Sequence, residues 1–447
     1  MKLRTSFFNR TVLKKDITRF APVWVLYTLF LFLCTLYLSG NKDYGATARS
    51  VAQSILATSL LNLVYALITG TLLYGDLFQN RACNALHATP LRREGWFLTH
   101  TTAGLLFALI PNLICALAFS LMLQEFAYMI WLWLAAAMLQ YLFFFGVAAL
   151  CAQLSGNWMG MLSIYGIVNY FSAFVCWVIH TFYTFEPYSI LPNPNHFYLF
   201  SPAAYIPERY FVSFDWTNTD GWVFYGIYWE NWIYLFVIAA VGLAFLALAL
   251  LLYRKRKLEL AGSLLHYRFL GSLIPLVCAL LCGGILYSID FLPHIPCLII
   301  GVAVGFFVGM VFLKRSVRVF QLKPLLYFLI LCGVLVGSVL LVKLDPLDSV
   351  HYVPEPSSVQ KVEVRSGHMI PGRIDYYDLP HIPEITSSDP MRIERICDLH
   401  TKLVRYDRGN CIRNIEIRYT LKNGLTVSRY YYIDLIDAEL IHAFSKD

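Results

Sequence analysis

The sequence predicts an all-α polytopic membrane protein that ends in a small C-terminal α+β domain. Of its 447 residues, 58% are hydrophobic and only 14% are charged, whereas soluble globular chains carry about 25% charged residues. The apolar residues form runs of about twenty, each long enough to cross a hydrocarbon core of about 30 Å. After residue 343 these runs stop, and the sequence alternates between apolar and polar residues as strands do.

Four regions follow from this pattern. Residues 1–20 are predicted to form an interfacial N-terminal helix, and residues 21–253 a core of six membrane helices. Residues 254–343 are predicted to form three further transmembrane helices with basic cytoplasmic loops, and residues 344–447 the α+β domain. The nine predicted spans are residues 21–40, 51–75, 100–124, 127–154, 158–181, 232–253, 271–290, 294–313 and 324–343.

The positions of the basic residues predict the orientation. Eighteen Lys and Arg residues fall in the connections on one face of the membrane, and three in those on the other. Since basic residues mark the cytoplasmic face, the N-terminus is predicted to be cytoplasmic and the region 344–447 to be extracytoplasmic in a cell membrane. The net charge of +7 is explained by these orientation signals, so no nucleic-acid partner is expected.

The last three spans are rich in glycine. Gly301, Gly305 and Gly309 repeat at four-residue steps in "GVAVGFFVG". Small residues on one helix face let two helix backbones approach closely in lipid. Helix packing within the chain is the simpler interpretation, and a dimerisation face is the alternative.

The C-terminal region carries signals for a helix and a hairpin. Asp389 and Pro390 predict the start of a helix, whose apolar face holds Ile393, Ile396, His400 and Leu403. Two alternating runs flank "NG" at residues 423–424, which predicts a β-hairpin. Cys397 and Cys411 either form a disulfide or stay free, and free thiols are favoured because Cys397 also fits the apolar helix face.

The spans are notable for what they lack. Spans one to six have no Asp, Glu, Lys or Arg in their central turns, and the polar residues there (Asn62, Asn112, Gln140 and Asn169) are neutral. Ion-coupled transporters have ionisable side chains along their transport path, so these spans show no means of using an ion gradient. The chain also lacks a Gly-x4-Gly-Lys-Ser/Thr phosphate loop, a zinc-binding His-Glu-x-x-His and a Gly-x-Ser-x-Gly elbow. We therefore expect no enzyme activity, cofactor or bound metal.

The basic connection after span two predicts a short helix. Asp76 is expected to cap a helix over residues 77–88, which ends before Pro90. Six side chains define its two faces: apolar Phe78, Ala82 and Leu86, and polar Gln79, Arg81 and Asn84. The helix would lie along the membrane with its polar face toward the cytoplasm. A basic loop that serves only orientation is the alternative.

A second basic cluster follows span six. It consists of Arg254, Lys255, Arg256 and Lys257. Its simplest interpretation is an anchor that binds anionic headgroups of membrane lipids, and a regulatory role is the alternative.

Several stretches carry a family resemblance. They are "FFNRTVLKKDITRFAPVW" before span one, "NALHATPLRREGWFLT" after span two, "LSGNWMGML" between spans four and five, "LFSPAAYI" before span six and "YRKRKLELAGS" after it. In this order they resemble the permease subunits of ABC transporters of the type-two exporter class, in particular long Gram-positive bacterial permeases with a C-terminal soluble domain. The resemblance covers residues 1–270.

The resemblance implies a function and partners. In that family the helix after span two is a coupling helix that docks on a separate cytoplasmic ATPase subunit. Carried over, this role falls on Asp76, Phe78, Gln79, Arg81 and Leu86. The chain would work with a second permease subunit, as a homo- or heterodimer, and export an amphiphilic cargo such as a lipid-linked molecule or an antimicrobial peptide. The alternative is a non-transporting membrane receptor or scaffold whose extracytoplasmic domain binds a ligand.

Overall fold

The computed structural model divides the chain into two compact units. Unit one comprises residues 1–174 and 197–276, and unit two residues 175–196 and 277–447. The described residues are 8–39, 44–88, 92–124, 127–183, 188–189, 198–209, 211–217, 221–256, 262, 268–287, 293–314, 316, 319, 321–344, 352–369, 385–404, 413–423 and 426–433.

The described chain is mostly helical. Its helices are α1 (Arg10–Arg19), α2 (Ala21–Ser39), α3 (Tyr44–Leu73), α4 (Asn80–His87), α5 (Arg93–Met122), α6 (Ala127–Leu154), α7 (Trp158–Tyr183), α8 (Pro202–Tyr205), α9 (Trp229–Lys255), α10 (Arg268–Tyr287), α11 (His294–Lys314), α12 (Leu322–Leu344) and α13 (Pro390–Val404). Its strands are β1 (Tyr188–Ser189), β2 (Val212–Thr217), β3 (Gly221–Ile227), β4 (Val359–Met369), β5 (Ile385–Ser387), β6 (Arg413–Leu421) and β7 (Thr426–Ile433).

Seven helices among the described residues are long and apolar enough to cross a membrane. They are the segments Gln53–Leu73, Arg93–Met122, Ala127–Leu154, Trp158–Ile179, Trp229–Lys255, His294–Lys314 and Leu322–Leu341. An eighth candidate is the pair α1 and α2, which bends by 58° at the break between the two helices. The predicted seventh span coincides with a shorter apolar helix, Leu273–Tyr287. The prediction of a mostly helical polytopic membrane protein is therefore confirmed in outline.

Helix α6 lies at the centre of unit one. Tyr141, Phe144 and Phe145 on this helix are fully buried. Its closest neighbour is α9, because a Cβ atom on Gly146 would lie 2.3 Å from the carbonyl oxygen of Gly242. Only glycine permits two helix backbones to come this close, so α6 and α9 pack as a tight pair.

In unit two, α11 packs against α10 through its glycines. A Cβ atom on Gly301 would lie 2.5 Å from the carbonyl oxygen of Cys282, and one on Gly305 would lie 2.2 Å from that of Cys278. Gly309 is also buried. The glycine-rich face is thus occupied by a helix of the same chain.

The soluble part of unit two is an antiparallel sheet with one helix against it. The strand order is β1-β7-β6-β4-β5. As predicted, α13 begins at Pro390, and the side chain of Asp389 accepts a hydrogen bond from the amide of Met391 at 3.3 Å. Strands β6 and β7 also form the predicted hairpin. Cys397 is a free, buried thiol, whereas Cys411 lies outside the described residues.

The edge strand β1 of this sheet was not predicted from the sequence. Strand β1 comes from the connection after α7 and pairs with β7, with Tyr188 opposite Tyr431 and Ser189 opposite Tyr430. A stretch predicted to belong to the outer loop of the six-helix core thus completes the sheet of the C-terminal region.

Candidate functional site

Basic residues from separate stretches of the sequence meet at one end of unit one. We call this region the basic end and define it by α1 and residues 75–88, 92–100, 151–157 and 253–256. The stretches contact one another through ion pairs between side chains and through hydrogen bonds from arginine side chains to backbone carbonyls. Because lysine and arginine mark the cytoplasmic ends of membrane helices, this is the end where the sequence predicts the cytoplasm.

The segment between α3 and α5 forms two short helical pieces rather than one helix. A 3₁₀ turn covers Gly75–Phe78, Gln79 is extended, and α4 then runs over Asn80–His87. The predicted single helix over 77–88 with Asp76 as its cap is therefore wrong. Asp76 instead lies inside the 3₁₀ turn, where its carboxylate is 4.0 Å from the guanidinium of Arg19.

The two faces of this segment have different surroundings. Leu77, Phe78 and Cys83 are buried in the core of unit one. The outer face is exposed and carries Gln79, Asn80, Arg81 and Asn84. Phe78 therefore cannot be a surface contact for a partner, because its ring anchors the segment to the core. The side chain of Leu86 lies outside the described residues.

Arg256 does not act as the predicted lipid anchor. Its side chain is buried, and its guanidinium donates four hydrogen bonds to backbone carbonyls. The acceptors are Ala152 at 2.7 Å, Gln153 at 3.1 Å, Ser155 at 2.8 Å and Leu77 at 3.3 Å. Every donated bond goes to the protein itself, so the headgroup role is wrong for this residue.

The other members of the basic cluster have separate environments. Arg254 is half-exposed and forms an ion pair with Glu94 at 3.1 Å, and Lys255 is exposed. Both remain available to lipid headgroups. Lys257 lies outside the described residues.

A second arginine fixes the end of α9. Nη1 of Arg93 donates to the carbonyl oxygens of Arg254 at 3.1 Å and of Arg256 at 3.0 Å. Close by in sequence, the amide of Gly262 donates to the carbonyl of Gly156 at 2.8 Å. Two of the stretches that carry the family resemblance, "LSGNWMGML" and "YRKRKLELAGS", are thus in direct contact.

A buried contact between Asp16 and His100 attaches α1 to α5. Nδ1 of His100 lies 2.7 Å from a carboxylate oxygen of Asp16, and both side chains are more than 90% buried. Trp96 stacks on the imidazole with ring centroids 5.1 Å apart. The amide of Asn9 also donates to Oγ1 of Thr99 at 3.2 Å. The N-terminal helix is therefore held against the core by polar contacts as well as by its apolar face.

Sequence reasoning missed this pair. Leu13, Ile17 and Phe20 recur at helical spacing and form an apolar stripe on the N-terminal helix. Asp16 lies on the same side of the helix, three residues after Leu13. A carboxylate within an apolar stripe is the signal that would have predicted a buried partner.

The middle of the core helices contains a neutral polar network. The hydroxyl of Tyr27 donates to Oδ1 of Asn62 at 3.2 Å, and Asn62 donates to the carbonyl of Ala137 at 2.9 Å. Asn112 donates to the Tyr27 hydroxyl at 3.4 Å, and Gln140 to the carbonyl of Ile55 at 3.3 Å. The network links α2, α3, α5 and α6 without a formal charge.

Comparisons with protein family models, with curated proteins and with solved structures find no match to this chain. The structure itself defines a broad class, a mostly helical protein with seven helices among the described residues that are long and apolar enough to span a membrane, together with a sheet-and-helix region. Among the described residues, no group of three or more His, Cys, Asp and Glu side chains has the arrangement of a metal site.

Proposed function

We propose that this chain is the permease subunit of an ATP-driven exporter of the type-two ABC class, working with a second permease subunit and a cytoplasmic ATPase. The observation that carries the proposal is the construction of segment 75–88. One of its sides is exposed and polar, and the other is buried in the helical core. A helix that receives force from a partner requires both properties.

The outer side of segment 75–88 offers the contacts. Gln79, Arg81 and Asn84 are exposed at the basic end, where they supply amide donors and acceptors and one positive charge. The inner side, through Leu77 and Phe78, belongs to the same apolar core as the membrane helices. A partner bound to α4 therefore pushes on the spans directly.

The interior of the core supports an external source of energy. In the described part of unit one, the buried Asp, Glu, Lys, Arg and His side chains are Asp16, His100 and Arg256, and all three lie at the basic end. The mid-span network is neutral. Transport driven by an ion gradient uses ionisable groups within the membrane, so energy from a separate ATPase is the better fit. Uncharged walls also favour an amphiphilic cargo.

The shared sheet supports an extracytoplasmic C-terminal region. Strands β1 and β7 are hydrogen-bonded, so the connection after α7 and the C-terminal sheet lie on the same side of a membrane. The helices α9, α10, α11 and α12 separate these strands in sequence. For both strands to lie on one side, the chain between them must cross the membrane an even number of times. This requirement favours α10 as a span despite its shorter apolar stretch. Nine spans and the positive-inside rule then support an extracytoplasmic location for the sheet.

Co-purification tests the proposal. The full chain is purified from its native membranes, and an accompanying phosphate-loop ATPase is identified and quantified per mole of permease. The variant Gln79→Ala/Arg81→Ala is expected to lose the ATPase about tenfold, the effect of about 1.4 kcal/mol of binding free energy. The matched control, Gln360→Ala/Arg365→Ala, removes the same residue types from exposed positions of β4 and is expected to retain it. Equal retention by both variants would contradict docking on α4.

A ligand-binding receptor or scaffold is the second candidate. It is favoured by the independent apolar core of the C-terminal region, where Val362, Ile417 and Tyr419 of the sheet pack with Ile396 of α13. This function requires no ATPase. A wild-type chain that carries no ATPase through purification would support it.

A further inference from the structure

We propose that Arg256 is the positioning residue that fixes segment 75–88 to the ends of α6 and α9. The hydrogen bonds of Arg256 define its position in the structure, whereas its consequence for transport rests on the function proposed above. The guanidinium reaches three separate stretches of backbone at once: the last turn of α6, the link to α7 and the 3₁₀ turn before α4. The residue itself follows the last residue of α9.

The hydrogen-bond pattern uses the shape of the guanidinium. Nη1 donates to the carbonyls of Ala152 and Gln153, and Nη2 donates to those of Ser155 and Leu77. A guanidinium presents five donors in a rigid plane, whereas a lysine ammonium is a compact charge with three. Lysine therefore cannot reproduce four bonds directed at carbonyls from three stretches.

The acceptors also stabilise the buried charge. The last four carbonyls of a helix have no partner within that helix, and they form the negative end of its dipole. Ala152 and Gln153 are in the last turn of α6. The guanidinium thus satisfies carbonyls that would otherwise be unpaired in a buried place, and their partial charges offset the desolvation of the cation.

Arg93 extends the connection to α5. It donates to the carbonyl of Arg256, and Arg256 in turn donates to Leu77 and to the end of α6. The two arginines therefore link the three membrane helices α5, α6 and α9 and segment 75–88 through backbone carbonyls. Backbone acceptors cannot rotate away as side chains do, so the linkage is stiff.

The consequence is that a displacement of α4 reaches the centre of the core. The guanidinium holds the end of α6, and α6 packs on α9 at the close approach of Gly146 and Gly242. In the proposed exporter, α4, α6 and α9 would move together when the ATPase subunits close. Without Arg256, α4 would keep its exposed docking face and the apolar contacts of its segment, but the hydrogen-bonded link to the ends of α6 and α9 would be lost.

Hydrogen exchange on the full chain in lipid nanodiscs tests the position of Arg256 without any ATPase. In Arg256→Met, amide protection in residues 75–88 is expected to fall about tenfold or more, because four charge-assisted bonds are lost. Arg256→Lys is expected to fall between Met and wild type. Lys255→Met changes an exposed neighbour and should leave protection unchanged, and amides of α11 report whether each variant is folded.

The second measurement uses the ATPase that co-purifies with the wild-type chain. Arg256→Met is expected to retain it at wild-type stoichiometry but to lose permease-dependent stimulation of ATP hydrolysis, which a general loss of folding would not produce. Unchanged protection of residues 75–88 in a folded Arg256→Met protein would overturn the assignment. If the wild-type chain binds no ATPase, the proposed function fails, and hydrogen exchange still decides the role of Arg256.

Discussion

The middle of the helical core and its basic end bury polar groups in different ways. In the middle, Tyr27, Asn62 and Gln140 exchange hydrogen bonds between neutral groups. At the basic end, Arg256 donates to backbone carbonyls, and Asp16 lies against His100. Helix α6 passes through both environments, with Gln140 at its midpoint and the acceptors of Arg256 in its last turn. The same helix therefore tolerates a neighbouring charge only at its end.

The difference depends on where backbone carbonyls are available to offset a buried charge. The mid-span backbone has its carbonyls bonded within the helix, whereas the last turn offers unpaired ones. An ion in the middle of a span has no such partners, and its transfer there costs several kcal/mol. This distribution suits a core that moves as neutral, packed helices and is controlled from one end.

The largest expected effect comes from placing a charge in the middle. Gln140→Glu replaces a fully buried amide, which donates a hydrogen bond to the carbonyl of Ile55, with a carboxyl group. The ionised carboxylate can only accept hydrogen bonds, and the protonated acid has different hydrogen bonds from those of the amide. We expect a loss of about 3 kcal/mol or more in stability. The midpoint of thermal unfolding of the full chain in detergent measures it.

The matched control is Gln53→Glu on α3, where the side chain is exposed. The same chemical change there is expected to alter stability by less than about 0.5 kcal/mol. If both variants unfold at the same temperature, the middle of the core tolerates charge, and the contrast with the basic end disappears.

Only one side of this contrast, the neutral middle of the core, could be predicted from the sequence. The neutral character of spans one to six could be predicted, because it depends on which residue types are present. The environment of Arg256 could not, because its acceptors are backbone carbonyls up to 179 positions away in sequence and leave no residue pattern. For the same reason "YRKRK" was interpreted as four equivalent lipid anchors, although the third of its basic residues points into the protein.

The next effect concerns the buried pair of the basic end. His100→Ala leaves the carboxylate of Asp16 buried without its imidazole partner. A buried polar group that is left without its partner costs about 1–3 kcal/mol. We expect α1 to loosen from α5, with a fall in amide protection over residues 10–19. The double variant Asp16→Leu/His100→Phe is expected to recover much of the protection, because an apolar pair leaves no buried polar group without a partner.

An exposed pair in the same region supplies the control. Arg19 and Asp76 are 4.0 Å apart and partly exposed, so Arg19→Ala is expected to cost less than about 1 kcal/mol. Equal effects of His100→Ala and Arg19→Ala on α1 would show that burial does not strengthen the first pair. The attachment of α1 would then rest on its apolar stripe and on the hydrogen bond from Asn9 to Thr99.

The C-terminal region was the easiest part to predict locally. The helix start at Pro390 and the hairpin of β6 and β7 follow from short-range signals, an N-cap and a turn dipeptide, which act within a few residues. The pairing of β1 with β7 does not, because it joins positions about 240 residues apart. Local chemistry fixed the elements of the sheet, and long-range packing decided which stretch completes its edge.

The C-terminal region also buries an ionisable side chain, His400, and the smallest expected effect on stability concerns this residue. Burial lowers the pKa of His400 to about 3, and the positive charge of Arg429 acts in the same direction. The imidazole lies 2.9 Å from the hydroxyl of Tyr419. An unfolded histidine has a pKa of about 6.5, so between about pH 6.5 and pH 3 the unfolded state binds a proton that the folded state does not. Stability is therefore expected to fall by about 1.4 kcal/mol per pH unit below pH 6.5.

Amide protection factors of α13 in the full chain, compared at pH 7.5 and pH 5.5, measure this slope. His400→Gln cannot titrate but can still bond Tyr419, so its slope is expected to be shallower by the contribution of one proton, whatever its absolute stability. Carboxylates that titrate in the same range contribute equally to both proteins and cancel in the comparison. Equal slopes would mean that His400 becomes protonated in the folded sheet. The soluble region would then hold a buried charge without the carbonyl acceptors that the basic end supplies to Arg256.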